Sequence, residues 1–465
     1  MMSQNRMSVD LPDRVEMLEL LLRDGLQHFQ RTIPLSTKLF FADQFARAGY
    51  RRIEVTNFGH PKYLPQCLDA EELLKKVREL ETVKANGVNL KCYGMTRKAF
   101  ERAAECAQKG YPPDVVAFTI STEDLHCRRN AGRTRAEYLK EIPDLVRIAH
   151  ENGFEIDMAI ACVYGSPCAG PVPVENTFEL IDRGLDMGIR NFTPCDTTGE
   201  SNPRRSYEYM AALVDRYSRY DDEIKFRVAH FHEARGLAIA NTVAAIHGGA
   251  RIIESSLGLG GGQPAFIVDG VVGIGTGPIY TNSYEVGNCA SEDILVALDE
   301  MGVETGIDVD KMLQLGRLLE WVLEKSLPVW TTKAGRPIRY PVEWNISSTD
   351  LSYVPPFGPP QVAWAHPGKY KPATRSQVEE EFRGRELRLH ESHAGCLDRA
   401  EREWPTRLLG CGKGSAGGAA RQGGVPAEPP RPKAPRRTRG RPKGGPALKR
   451  PKEGAVTATR RVGGR

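Results

Sequence analysis

Lys225-Phe226-Arg227-Val228-Ala229-His230-Phe231-His232 is an apolar run that ends in two histidines one residue apart. Side chains alternate along a strand, so both imidazoles project from the same face. Such a pair can grip one metal ion, although a lone pair on an apolar strand more often serves packing or hydrogen bonding. The run is one of eight, at residues 15–22, 52–56, 89–93, 115–120, 155–163, 191–195, 225–232 and 251–255. Each is followed by a capped helical stretch, which is the pattern of parallel βα units. Eight units within about 250 residues predict a TIM (β/α)8 barrel; a doubly wound open sheet, which more often shows fewer strands, is the alternative. Helix punctuation agrees: Thr134 and Glu137 form a capping box before a periodic stretch closed by Gly153, and Thr96 and Gly110 bracket another helix.

The 465 residues exceed one average domain, but a barrel with appended segments absorbs them. We read residues 15–330 as the catalytic barrel with its extra helices, 331–410 as a linker or accessory segment, and 411–465 as a tail. Residues 258–288 read as a long, mobile, glycine-rich loop, followed by helices at 291–301 and 309–327. Beyond Pro328 the sequence becomes a Pro/Trp/Tyr-rich linker with a short helical pattern near 376–389.

The ten cysteines include no CxxC pair, and residues 1–14 lack a signal core or an Arg-rich amphipathic pattern. A reducing, cytoplasmic setting is expected. No window approaches the roughly 18 consecutive apolar residues of a membrane span, so no membrane partner is expected. The net charge of +5 is misleading, because residues 411–465 carry fifteen Lys/Arg and two Glu, leaving the rest of the chain acidic. That tail is dense in Gly, Pro, Ala and Arg and nearly empty of large apolar residues, so it is expected to be disordered. Within it, Arg439-Gly440-Arg441-Pro442-Lys443 is similar to the core of an AT-hook. Such strings arise easily in biased sequence, and nonspecific attraction to polyanions is the preferred reading; a nucleic-acid partner is only weakly suggested.

In a TIM barrel the active site lies where the strands end. The first run ends in Arg23-Asp24-Gly25, the second in Glu54 with Thr56 and Asn57, the sixth in Asp196-Thr197-Thr198-Gly199, and the seventh in His230 and His232. One carboxylate and two neutral imidazoles make a mixed N/O metal site that an amide oxygen beyond the eighth strand can complete. Oxygen-rich ligation without thiolate suits magnesium or manganese, with zinc or cobalt as the lesser alternatives. Arg23 beside the metal is placed to stabilise a developing enolate oxygen.

These residues resemble the hydroxymethylglutaryl-CoA lyase branch of the metal-dependent lyases and synthases that include isopropylmalate, homocitrate and citramalate synthases. The marks are Arg23-Asp24-Gly25-Leu26-Gln27, Ile53-Glu54-Val55-Thr56-Asn57-Phe58 running into Pro61-Lys62 and Pro65-Gln66, Cys195-Asp196-Thr197-Thr198-Gly199, and His230-Phe231-His232 leading into 236–241. The second stretch looks like the lyase branch, as does Gly287-Asn288 followed by Ser291-Glu292-Asp293. The resemblance implies that Asp24, His230, His232 and Asn288 ligate the metal, that Glu54 supports the site, and that Arg23 is catalytic. Gln27, Asp196, Thr198 and Gln263 are assigned to the substrate side, although Thr198 reads first as a cap of the following helix or turn. The implied reaction is a retro-Claisen cleavage of a 3-hydroxy-3-methylglutaryl-CoA-like substrate to acetyl-CoA and a 3-oxo acid. The resemblance also implies an acyl-CoA or small-carboxylate partner and a homo-oligomer.

One departure stands out. The lyases place a catalytic cysteine after paired glycines and before a proline, where this chain reads Gly261-Gly262-Gln263-Pro264. An amide cannot relay a proton as a thiol does. Cys289 sits near the other end of the loop, but a buried, inert thiol is its preferred reading. Glu233-Ala234-Arg235 after the histidines also departs from the usual pattern. Two rivals stay open: a Claisen condensation synthase joining acetyl-CoA to a 2-oxo acid, and an inactive barrel with a nucleic-acid-binding tail.

Overall fold

A computed structural model describes residues 11–337, apart from 28, 30, 61–63, 262–266, 269–270 and 273–286. His28, Gln263, the helical pattern near 376–389 and the basic tail lie outside the described residues.

Eight parallel strands close into a barrel: β1 (Glu16–Glu19), β2 (Arg52–Asn57), β3 (Asn89–Tyr93), β4 (Val115–Ser121), β5 (Glu155–Ala161), β6 (Asn191–Asp196), β7 (Val228–Phe231) and β8 (Ile252–Ser255). β8 pairs with β1, so the expected TIM barrel is the observed fold. Alternation explains both the core and the opening. On β4 and β5, Val116, Phe118, Ile120, Ile156, Met158 and Ile160 are buried in the hydrophobic core, and the Phe118 ring meets Tyr138 of the helix Arg135–Glu151 at 5.7 Å. The intervening positions Ala117, Thr119, Ala159 and Ala161 line a cavity inside the barrel. Small residues facing inward on neighbouring strands leave that space open.

Strand bounds differ from the sequence reading where local geometry intervenes. The run at 15–22 is strand only through Glu19; Leu21–Gly25 then winds into a π-helical turn. Glu19 Oε1 accepts from the Leu21 amide at 3.0 Å and helps turn the chain there. Arg23 and Asp24 therefore sit on a wide turn above the strand, a geometry common at functional sites. A register shift between Glu54 and Thr56 breaks the β2–β3 ladder. This bulge lets Glu54 and Asn57, three residues apart, both face the cavity. The run at 225–232 is ordered strand only over Val228–Phe231. His232 instead forms an isolated bridge with Asn288, reinforced by Glu233 N to Gly287 O at 2.7 Å and Cys289 N to Phe231 O at 2.9 Å. The far end of the loop is thereby stitched beside the histidines.

The Thr134 capping box is present, and Thr96 accepts from Ala99 N as an N-cap. The helix expected over 309–327 ends at Leu323, because Glu324 enters the left-handed region with φ 52°. Among the described residues, no helix is long and apolar enough to cross a membrane.

Candidate active site

Asp24 from the π turn, His230 from β7 and His232 just beyond it bring one donor atom each within 4.8 Å of one another. The Nε2 atoms of the two histidines face each other at 3.1 Å. His232 Nδ1 lies 2.6 Å from the Thr197 carbonyl oxygen, which only accepts, so Nδ1 carries the proton. His230 Nδ1 lies 2.8 Å from Glu254 Oε2. Burial pushes the Glu254 carboxyl up, but the Lys91 ammonium and the His230 bond outweigh it and hold the group far below the usual carboxylate range. Glu254 is thus an anionic acceptor and His230 Nδ1 also donates. With both protons on Nδ1, the two Nε2 lone pairs point at one another, an arrangement that a shared cation relieves.

Asn288 supplies a fourth polar group. Its Nδ2 donates to Asp24 Oδ2 at 2.8 Å and to the Gly260 carbonyl at 3.1 Å, while its Oδ1 is buried with no hydrogen-bond partner. An orphaned amide oxygen beside one carboxylate and two imidazoles fits a hard divalent cation. Burial raises the Asp24 carboxyl, yet Arg23, the histidines and the Asn288 amide together keep it below its ordinary value.

Arg23 is fixed on three sides. Nη1 donates to Asp24 Oδ1 at 2.5 Å, Nε lies 3.4 Å from Glu54 Oε2, and Cζ stacks 3.8 Å from the centre of the Tyr93 ring. Tyr93 is in turn held by its hydroxyl donating to Thr119 Oγ1 at 2.7 Å. Gln27 Nε2 donates to Asp24 Oδ1 at 2.6 Å. Burial pushes the Glu54 carboxyl up to about 7, with Arg23 and Lys91 pulling it down and Asp24 and Glu254 opposing them. Arg23, Asp24, Gln27, Glu54, Tyr93 and both histidines line the cavity inside the barrel, which has a volume of about 410 Å³, whereas Asn288 lies behind Asp24 and is not part of that lining.

The glycine-rich stem closes against the π turn. A Cβ on Gly261, whose φ is +68°, would fall 1.5 Å from the Asp24 carbonyl oxygen, and one on Gly260 would fall 2.8 Å from that of Gly25. Only glycine permits that approach.

Residues 14–319 match the HMGL-like family model. The chain belongs to the HMGL-like family. It is 27% identical over 317 residues to a hydroxymethylglutaryl-CoA lyase of Bacillus subtilis, covering 68% of this chain and 96% of that protein. The human mitochondrial hydroxymethylglutaryl-CoA lyase is 26% identical over 316 residues, covering 68% of this chain and 88% of the relative. Among solved structures, an HMG-CoA lyase from Acinetobacter baumannii in complex with coenzyme A and 3-methylmalate superposes with a TM-score of 0.60 at 26% identity. That alignment covers 71% of this chain and 98% of the other. The HMGL-like chain is accordingly an enzyme, a metal-dependent lyase of this superfamily.

Several residues of the HMGL-like chain stand apart from this centre. Asp196 and Thr198 are not among the residues lining the cavity. Asp196 is buried, with its carboxylate accepting from the Glu200 and Ser201 amides at 2.8 and 3.2 Å, so it shapes the turn after β6. Thr198 is buried and its hydroxyl points to Glu200 at 3.4 Å; the next helix is capped by Asn202. The residue of that motif that meets the histidine pair is Thr197, through a backbone carbonyl that no side-chain pattern announces. Asn288 caps no helix, since the N-cap of Ser291–Met301 is Ala290. Cys289 is fully buried, and burial drives its thiol far above the ordinary range. Glu254, Tyr93 and Lys91 were not singled out from the sequence. A carboxylate within an Ile-Ile-Glu strand end was the available signal for Glu254.

Tyr93→Leu tests the stacked face. Removing a cation–π contact of about 0.5–2 kcal/mol frees Arg23. Turnover is expected to fall roughly 2- to 30-fold, with manganese affinity unchanged. A titration of the metal alongside steady-state kinetics separates the two.

Proposed function

We propose that this HMGL-like enzyme cleaves a carboxylate-bearing 3-hydroxyacyl-CoA of the 3-hydroxy-3-methylglutaryl-CoA type to acetyl-CoA and a 3-oxo acid. Asp24, His230, His232 and Asn288 would hold the divalent ion, magnesium or manganese. The observation that carries the reading is the convergence of two Nε2 lone pairs, an ionised Asp24 and an orphaned Asn288 Oδ1 beside Arg23. The coenzyme A and 3-methylmalate bound to the Acinetobacter lyase, an acyl carrier and a hydroxy dicarboxylate, support the substrate class. When bound, the ion supplies Lewis acidity toward the substrate's hydroxyl and carboxylate oxygens.

The chain's own residues account for the remaining chemistry. The hydroxyl proton leaves, its carbon becomes a carbonyl, and the breaking carbon–carbon bond gives its electron pair to the acyl-CoA enolate. One proton is then added to the α-carbon of that enolate to give the acetyl methyl group, so the reaction consumes and releases none. Glu54, raised to about 7 and facing the cavity, is matched to taking that proton and handing it back. Arg23, immobilised between Asp24, Glu54 and Tyr93, offers fixed positive charge to the enolate oxygen. A cytoplasmic setting is consistent with the eight described cysteines, all free thiols.

Because Glu54 must be ionised to accept the hydroxyl proton, kcat/KM is expected to rise tenfold per pH unit up to about pH 7 and level off above it. Glu54→Gln should leave a low, flat profile. The reaction itself is tested by incubating the protein with manganese or magnesium and hydroxymethylglutaryl-CoA, with parallel acetyl-CoA plus pyruvate or 2-oxoisovalerate, and following CoA species by mass spectrometry. Acetyl-CoA release abolished by EDTA is the expected result. Free CoA appearing only with an oxo acid would move the enzyme to the synthases, and silence throughout would overturn the substrate class.

A further inference from the structure

The floor of the cavity is a buried ion network to which the proposed reaction assigns no chemical step. Lys91, in the middle of β3, projects into the barrel, where Nζ lies 2.7 Å from Asp157 Oδ2 on β5 and 2.8 Å from Glu254 Oε1 on β8. None of the three is more than 5% exposed. Burial alone would discharge such a lysine, but the two carboxylates hold it charged. Asp157 is anchored by Thr193, whose hydroxyl donates at 3.0 Å. The remaining oxygen of Glu254 accepts from His230 Nδ1. Strand register makes this possible: Glu254 is the cross-strand partner of His230, and Lys91 that of Glu54 on the other side of the barrel.

We propose that Lys91, Asp157 and Glu254 are positioning residues that fix the tautomer and orientation of His230, so that its Nε2 lone pair faces the metal site. Asp157 holds Lys91, and Lys91 claims Oε1 of Glu254. Oε2 is then left in one place as an acceptor for Nδ1–H. A carboxylate behind a ligating imidazole orients the ring and raises its basicity. His232 receives the same service from the Thr197 carbonyl and is an internal control. The inference rests on the histidines being metal ligands, and the first measurement below does not require metal.

The experiment is long-range 1H–15N NMR on metal-free protein labelled in histidine, at a pH where both rings are neutral. Wild type is expected to show Nδ1–H at His230 and His232. In Glu254→Gln, Lys91 takes the amide oxygen and turns the NH2 toward His230, which must then accept and move its proton to Nε2. Manganese affinity, followed by EPR titration, is expected to fall about 10- to 100-fold. Adding Lys91→Met releases the amide to flip, and the Nδ1–H form should return, with His232 keeping its Nδ1–H tautomer throughout. Glu254→Gln is isosteric and suffices alone if the double variant does not fold, as judged by circular dichroism. A folded Glu254→Gln protein in which His230 keeps Nδ1–H and manganese binds as in wild type would overturn the positioning role. Failure of wild type to bind manganese would sink the metal reading, while the tautomer result would still decide this one.

Discussion

Asp24→Ala is expected to lower kcat/KM by about 10³-fold or more and to remove measurable manganese binding, because one substitution takes away the only carboxylate of the donor cluster. The loss extends past the ligand itself. Arg23 Nη1, Gln27 Nε2 and Asn288 Nδ2 all donate to this carboxylate, so three donors are left facing an alanine methyl. Asp24→Asn distinguishes the contributions: it preserves bulk and acceptor oxygen but drops the charge that balances Arg23. EPR-monitored manganese titration on both variants, alongside turnover, reads the two effects apart. Retained manganese affinity in a folded Asp24→Ala protein would remove Asp24 from the ligand set.

Arg23→Met should leave metal binding within a few-fold of wild type and cut kcat about 10²- to 10³-fold, the usual effect of losing a fixed donor to a developing oxyanion. Arg23→Lys is expected to recover little. An ammonium cannot lie flat on the Tyr93 ring while also meeting Asp24 and Glu54, as the planar guanidinium does. Steady-state kinetics at saturating metal provide the check. A drop in metal affinity that accounts for the whole loss of rate would show that Arg23 serves only to hold Asp24.

The barrel was legible because eight apolar runs recur at βα spacing, and strand alternation alone placed His230 and His232 on one side of the chain. Other features were hidden for definite reasons. Arg23 and Asp24 read as the end of a strand, whereas they occupy a π turn set by a carboxylate–amide contact from Glu19 that has no sequence signature. Glu54 and Asn57, at odd spacing, share the cavity only because of a bulge. Lys91 lies between two buried apolar residues, Leu90 and Cys92, and a lysine in that place reads as solvent-facing. Its partners become visible only when closure brings β3, β5 and β8 around one lumen. Asn288 entered through the family resemblance, since nothing in its own neighbourhood tells a bridge beside His232 from a helix cap.

The packing of Gly260 and Gly261 onto the Asp24–Gly25 backbone has a practical bearing on redesign. Loop libraries are a common route to new acyl specificity, and the segment after Gly261 is the obvious target. The stem is different in kind, because it shares a surface with the turn that carries Asp24. Variation at 260 and 261 would change substrate choice and ion retention in the same clones, and a turnover screen would score the two alike. Diversity confined between Gly261 and Gly287 leaves Asp24, the two histidines and Asn288 as a constant, so that changes in selectivity can be traced to the loop.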